Sequence, residues 1–166
     1  MGGIGGHEKP NNGASIEWWT PLYIIHSLGE FDLDPCSPPN GVWPTAKRRI
    51  SLPENGLAAT WSGRVWLNPP YGKSTGKWLR RLAGHGNGVA LIFARTETRM
   101  FFNYVWDRAS AVFFFEGRLC FYGPDGMPSS NNAGGPSCLV AYGEENVRAI
   151  QRSGLQGKLV SLRDVV

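Results

Sequence analysis

Residues 65–94, VWLNPPYGKSTGKWLRRLAGHGNGVALIFA, change periodicity twice, and the order of those changes sets the expected fold. Val65 to Leu67 is a short apolar run that reads as a strand. From Thr75 to about Ala83, Trp78, Leu79 and Leu82 recur at helical spacing and predict one inward face. Val89 to Ala94 is apolar throughout, as expected of a strand covered on both faces in a parallel sheet. Strand, helix and strand in that order predict an α/β layered domain with a largely parallel sheet.

Toward the N-terminus, Thr20 is a good N-cap and Pro21 suits the first helical position. The helix that follows has Leu22, Ile25 and Leu28 on one face and Gly29 as its stop. A strand from Phe31 to Asp34 ends at Pro35 and leads into a proline-rich loop through Pro44, whereas residues 45–60 show no single pattern. Toward the C-terminus, Thr98 to Arg108 predicts a helix with Phe101, Tyr104 and Val105 together. Ala111 to Phe115 and Ser137 to Ala141 predict strands, and Glu144 to Ser153 a helix stopped by Gly154. Residues 122–136 form a long polar loop, and loops of that length often carry function. Residues 1–15, glycine-rich and without apolar period, read as a flexible tail before one domain over 16–166.

A chain of 166 residues is one domain's worth, and 42% apolar with 18% charged residues excludes collagen, coiled coil and wholesale disorder. The longest apolar run, Val89 to Ala94, is six residues, against the ~20 that a membrane-spanning helix needs. The first fifteen residues lack the basic and apolar regions of a secretory signal. Cys36, Cys120 and Cys138 are odd in number and not closely paired, so neither a disulfide framework nor a zinc site is expected. A reducing, cytoplasmic setting fits these features. Charge is uneven: residues 47–118 carry twelve basic and four acidic residues, a net +8. The remainder carries five basic and nine acidic, a net −4. A cationic block of this kind suits a polyanion, because neutralised phosphates release counterions.

The chemistry concentrates in Asn68-Pro69-Pro70-Tyr71, directly after a strand, at the edge where open α/β sheets bind ligands. Proline has no N–H, fixes φ and pushes the residue before it toward extended geometry, so Asn68 and Pro69 are held stiffly. The Asn68 amide oxygen and the Pro69 carbonyl then become fixed acceptors. Two converging acceptors suit a planar amino group such as the exocyclic amine of adenine, whose lone pair is delocalised into the ring. Accepting both hydrogens favours a tetrahedral nitrogen, an effect largest in the transition state. Tyr71 can stack on the base, a contact worth ~1–3 kcal/mol in single-stranded nucleic-acid systems. The plainer reading of the tetrapeptide is a β-turn after an edge strand. Gly72-Lys73-Ser74 resembles the end of a phosphate-binding loop, yet that motif needs glycine where Leu67 stands. Asp32 and Asp34 share a strand face, but His7, His26 and His85 are scattered, so a cofactor contact is expected there and no metal.

Seven segments in order complete the pattern. They are Glu17-Trp18-Trp19-Thr20-Pro21, Phe31-Asp32-Leu33-Asp34-Pro35-Cys36, Trp43-Pro44-Thr45-Ala46 and Asn55-Gly56-Leu57 with Trp61. Then come Trp66-Leu67-Asn68-Pro69-Pro70-Tyr71-Gly72, Ala94-Arg95-Thr96-Glu97-Thr98 and Gly117-Arg118-Leu119. This set, over about residues 17–143, resembles the phage-type DNA N6-adenine methyltransferases at full length. The resemblance implies the class I SAM-dependent methyltransferase fold, Rossmann-like and small, without a separate target-recognition domain. It implies S-adenosyl-L-methionine as donor, S-adenosyl-L-homocysteine as product, no metal, DNA as partner, and a bacterial or phage-infected host cytoplasm. Asn68, Pro69, Pro70 and Tyr71 map onto the catalytic motif. Thr20 and Pro21 resemble the motif beside the donor's methionine end, and Asp34-Pro35 the start of the first cofactor motif. Asp32, Cys36, Asn55 and Asn68 complete the implied donor contacts. Cys36-Ser37-Pro38-Pro39 replaces the usual glycine-rich turn, and Asn55 stands where many relatives have an aspartate touching the donor's adenine.

Lys47, Arg48, Arg49, Arg80, Arg81, Arg95, Arg99 and Arg118 are the candidate phosphate contacts. With no room for a recognition domain, the 122–136 loop is expected to supply sequence preference. The same tetrapeptide also serves methyltransferases acting on RNA adenine or a protein glutamine amide. A catalytically silent nucleic-acid binder of the same fold is a third possibility, against which intact Asn68 and Tyr71 speak. Monomer and small homo-oligomer both remain open.

Overall fold

The computed structural model describes residues 18–163; the tail expected over 1–15 lies outside them. Helix α1 (Leu22–Leu28) precedes strand β1 (Leu33–Asp34), then β2 (Arg48–Arg49), β3 (Val65–Leu67), α2 (Thr75–His85) and β4 (Gly88–Phe93). A short helix α3 (Arg99–Phe101) runs into a π-helical turn (Phe102–Trp106), followed by β5 (Ala111–Phe115), β6 (Ser137–Tyr142), α4 (Glu144–Arg152) and β7 (Gly157–Ser161). The seven strands form one sheet in the order β2-β1-β3-β4-β6-β5-β7. This is the small, single-domain α/β architecture expected of a Rossmann-like methyltransferase.

Side-chain alternation explains why helices cover both faces. In β3, Val65 and Leu67 join one core cluster, packed under α2 and α3, and Trp66 joins the other with α1 and α4. In β4, Ala90 and Ile92 face the first cluster, Val89 and Leu91 the second. A fully buried side chain such as Leu91 or Leu139 contributes about 1.5–3 kcal/mol by leaving water. Arg64, just before β3, ties the second layer together. Its Nε donates to Asn146 Oδ1 at 2.6 Å and its Nη1 to the Leu28 and Glu30 carbonyls at 2.8 and 3.0 Å. Its guanidinium also lies 4.2 Å from the Phe31 ring centre.

Several expectations change. The sheet is not largely parallel: β2-β1, β1-β3 and β3-β4 are parallel, but β4-β6, β6-β5 and β5-β7 are antiparallel. The strand expected over 31–34 is only two residues long, because Asp32 lies in a bend where its carboxylate accepts from the Arg64 N–H at 2.8 Å. The helix expected over 98–108 starts as α and widens into the π turn. Thr20 does not cap α1; Pro21 holds that place and no side chain of the described residues caps it. Strand β7 was not expected.

Candidate active site

The chain lays β2 beside β1 and then returns to the other side of β1 for β3, so the strand order reverses between β1 and β3. Loops leaving two such strands diverge and open a crevice at their carboxyl ends. A cavity of about 760 Å³ lies there, within the ~300–1,000 Å³ usual for small-molecule sites. Four strand ends supply its wall: Pro35 to Pro39 after β1, Ile50 to Leu52 after β2, Asn68 to Tyr71 after β3, and Phe93 at the end of β4. Ser129 and Asn131 to Gly134 close it from the long loop.

The Asn-Pro-Pro-Tyr turn is anchored at both ends. The Thr75 hydroxyl donates to the Pro70 carbonyl at 2.7 Å, which fastens the turn to the start of α2. Asn68 Nδ2 donates to Thr20 Oγ1 at 3.2 Å. Asn68 Oδ1 and the Pro69 carbonyl accept no hydrogen bond from the described residues, so two acceptors stand unused on the cavity wall. Tyr71 stacks on Phe93 with ring centres 4.2 Å apart and planes at 16°. Its hydroxyl is buried without a partner, and burial pushes its pKa upward, so Tyr71 acts as a neutral ring.

Asp34 is buried and does not reach the cavity wall. It accepts from the Thr45 hydroxyl and from the Cys36 N–H, the latter at 3.1 Å, which holds the Pro35-Cys36 turn that does line the cavity. Burial raises Asp34 to about 6, against the opposing pull of those two donors and of Arg49. Burial likewise pushes the Cys36 thiol up to about 12, with Asp34 adding to the effect, so it stays protonated. Asn55 lines the cavity; its Oδ1 accepts from the Leu57 N–H at 3.0 Å, leaving the NH2 as its remaining polar group.

Other expected residues lie elsewhere. Asp32 is not brought to the cavity: it pairs with Lys47 at 3.2 Å near the amino end of β1. Thr20 and Pro21 are buried behind Asn68 and do not line the wall. Of the eight basic candidates, Lys47 also meets Glu30, and Arg48 pairs with Glu54 at 3.0 Å. Arg49 is an exposed member of the edge strand. Arg80 and Arg81 line a separate groove along α2, where Arg81 donates to the Ala59 carbonyl and covers Trp61. Arg95 is exposed beside the cavity, 5.8 Å from the Phe93 ring centre, while Arg99 and Arg118 are exposed on α3 and on the loop after β5. The parallel strands explain the place of Lys47, which immediately precedes β2 at the sheet's amino edge while the cavity lies at the carboxyl edge.

Sequence reasoning missed Phe93 and Leu52, and expected the 122–136 loop to give sequence preference without placing its Ser129–Gly134 stretch on the cavity wall. Phe93 read as one more residue of an apolar strand, and only its position at the strand's carboxyl end marks it. Among the described residues no cluster of three metal-ligating side chains occurs, and no helix is long and apolar enough to cross a membrane. The arrangement offers a nucleoside-sized apolar recess beside two fixed acceptors. A protein-family model described as DNA N-6-adenine-methyltransferase (Dam) matches residues 11–156. A comparison with curated proteins gave no match, and a comparison with solved structures gave none.

Proposed function

Because the chain belongs to the DNA N-6-adenine-methyltransferase (Dam) family, we propose that it transfers a methyl group from S-adenosylmethionine to the N6 amine of adenine in DNA. The observation that carries this reading is the pair of unused acceptors, Asn68 Oδ1 and the Pro69 carbonyl, on the wall of a nucleoside-sized cavity.

The cavity residues fit that donor. Leu52, 81% exposed on the wall, and Ile50 offer an apolar seat for a purine, with Ser51, Glu54 and Asn55 as polar neighbours. The Pro35–Ser37 turn, braced by Asp34, lies next to it. Gly56 packs so closely on this turn that a Cβ would sit 1.8 Å from the Pro35 carbonyl. The donor supplies an activated methyl on a sulfonium. Asn68 and Pro69 accept the amine's hydrogens and aim its lone pair, and such alignment is worth up to ~7–11 kcal/mol. Tyr71, backed by Phe93, offers a flat face for a base that has left its duplex stack. Once methylated, the nitrogen is acidic enough to lose its proton to water.

The 122–136 loop reaches from the cavity at Ser129 to an exposed tip at Pro124 to Pro128, and we assign sequence preference to it. Exchanging the tip residues should change which sites are methylated without changing donor affinity; unchanged sites would remove the loop from recognition. The decisive test measures donor binding by calorimetry, then incubates the protein with labelled donor and DNA, RNA or protein. Mass spectrometry of the digested DNA should find N6-methyladenine. Label confined to RNA or to glutamine would select those substrates, and donor binding without any transfer would leave a silent binder.

A further inference from the structure

We propose that the groove beside α2 is a docking site for the phosphate backbone of duplex DNA flanking the target adenine, with Lys77 and Arg80 as its phosphate contacts. It rests on the adenine-methyltransferase reading and adds where the duplex lies. An adenine delivered to the cavity brings flanking phosphates, whose neutralisation supplies much of the affinity of DNA-binding proteins. The cavity offers nothing for them: no lysine or arginine lines it, and its one charged lining residue is Glu54. The phosphates must be met outside it.

The groove, about 800 Å³, lies between residues 57–61 and one side of α2, and it adjoins the cavity. Gly56 and Trp78 line the cavity, and their chain neighbours Leu57 and Lys77 line the groove. Trp78 stacks on Trp61 of the groove, ring centres 6.4 Å apart and planes at 22°. Lys77, Arg80 and Arg81 bring three cations to the groove, and no acidic side chain lines it. Arg81 is committed to the wall, where it donates to the Ala59 carbonyl and covers Trp61. Lys77 and Arg80 are exposed, and neither side chain has a hydrogen bond or ion pair among the described residues. Three residues apart on one helix, they stand side by side. A Cβ at Gly84, one turn beyond Arg80, would meet nothing within 4 Å, so the groove stays open there. The eleven residues of α2 span about 16 Å, the rise of about five base pairs, so a duplex over the cavity reaches this face. The other basic cluster is already neutralised: Lys47 pairs with Glu30 and Asp32, and Arg48 with Glu54.

The test is the salt dependence of duplex DNA binding, followed by fluorescence anisotropy without donor, together with KM and kcat for methylation. Lys77→Gln combined with Arg80→Gln should weaken binding about tenfold and reduce the slope of log K against log salt by about two. KM for DNA should rise in step, with donor Kd and kcat at saturating DNA as in the wild type. Lys47→Gln combined with Arg148→Gln removes the same charge from residues that already face acids, and should leave the slope unchanged. Gly84→Glu puts an acid into the groove in a better helix former, and should weaken binding relative to Gly84→Ala without loss of thermal stability. A wild-type slope in the α2 double variant, an equal drop in the control, or equal binding by the two Gly84 variants would each overturn the proposal. So would binding of duplex RNA but not DNA. These readouts need no methyl transfer: a wild type that binds DNA through α2 yet makes no N6-methyladenine would overturn the functional reading alone. One that methylates DNA with α2 idle would overturn the docking site alone.

Discussion

Strands β1, β2 and β3 are two, two and three residues long, whereas β5, β6 and β7 run for five, six and five. The short parallel strands are paired over one to three positions, the antiparallel ones over four to six. In the parallel half every carboxyl end opens on the same edge, and side-chain anchors compensate for the missing ladder. Asp34 holds the loop after β1, Thr75 the turn after β3, and Arg64 the entry to β3. The antiparallel half sends alternate strand ends to opposite edges and reaches the cavity through the loop between β5 and β6, while it contributes β6, buried at all six positions. Most of the cavity wall and the longest fully buried strand thus come from different halves of one sheet.

The largest effect should come from Asn68→Ala, which removes an acceptor needed in the transition state. We expect kcat to fall about 10²–10³-fold with thermal stability near wild type. A variant that keeps its rate would break the division at its centre. Leu139→Ala, on fully buried β6, should do the reverse. Denaturant titration should show a loss of about 3–4 kcal/mol, while kcat of the folded fraction stays unchanged; a parallel loss of kcat would mean that the halves are not separable.

Asp34 sharpens the contrast, because its carboxyl is both an anchor and a buried acid. Its raised value near 6, above the ordinary 3.8, means that between these limits the native state keeps a proton the unfolded chain has lost. Stability therefore falls as pH rises through that window, by roughly 2–3 kcal/mol. Asp34→Asn cannot titrate, so its stability relative to wild type should climb by that amount between about pH 4 and pH 7. A pH-independent difference would show that Thr45 and Cys36 fully stabilise the carboxylate. The smallest effect is expected at Leu52. Leu52→Ala should leave stability within about 0.5 kcal/mol and weaken donor binding about fivefold, the equivalent of ~1 kcal/mol of apolar contact.

The same contrast explains what could be read in the sequence. Strands β3, β4 and β5 and helix α2 stand out because each buries an unbroken run or a periodic face. Strand direction is not written in such runs: Ser137 to Tyr142 would look the same parallel or antiparallel, and it proved antiparallel to both neighbours. Strand β7 escaped notice because Gly157, Lys158, Val160 and Ser161 are all exposed, so no alternation marks it. The place of the Asn68–Tyr71 turn at the end of β3 was legible, since prolines act locally. The hydrogen bond between Thr20 and Asn68 was not, because the partners lie 48 residues apart and a local capping signal pointed elsewhere. Asp32 and Asp34 look equivalent at a spacing of two until the bend at Asp32 sends the first carboxylate to Arg64.

The outermost strand on the cavity side consists of Arg48 and Arg49 alone, both exposed. A strand so brief and so strongly charged is a poor template for another chain, since adding one there would desolvate guanidinium groups for very few backbone bonds. Growth of the sheet by a strand from a second copy is thus disfavoured on the flank next to the cavity.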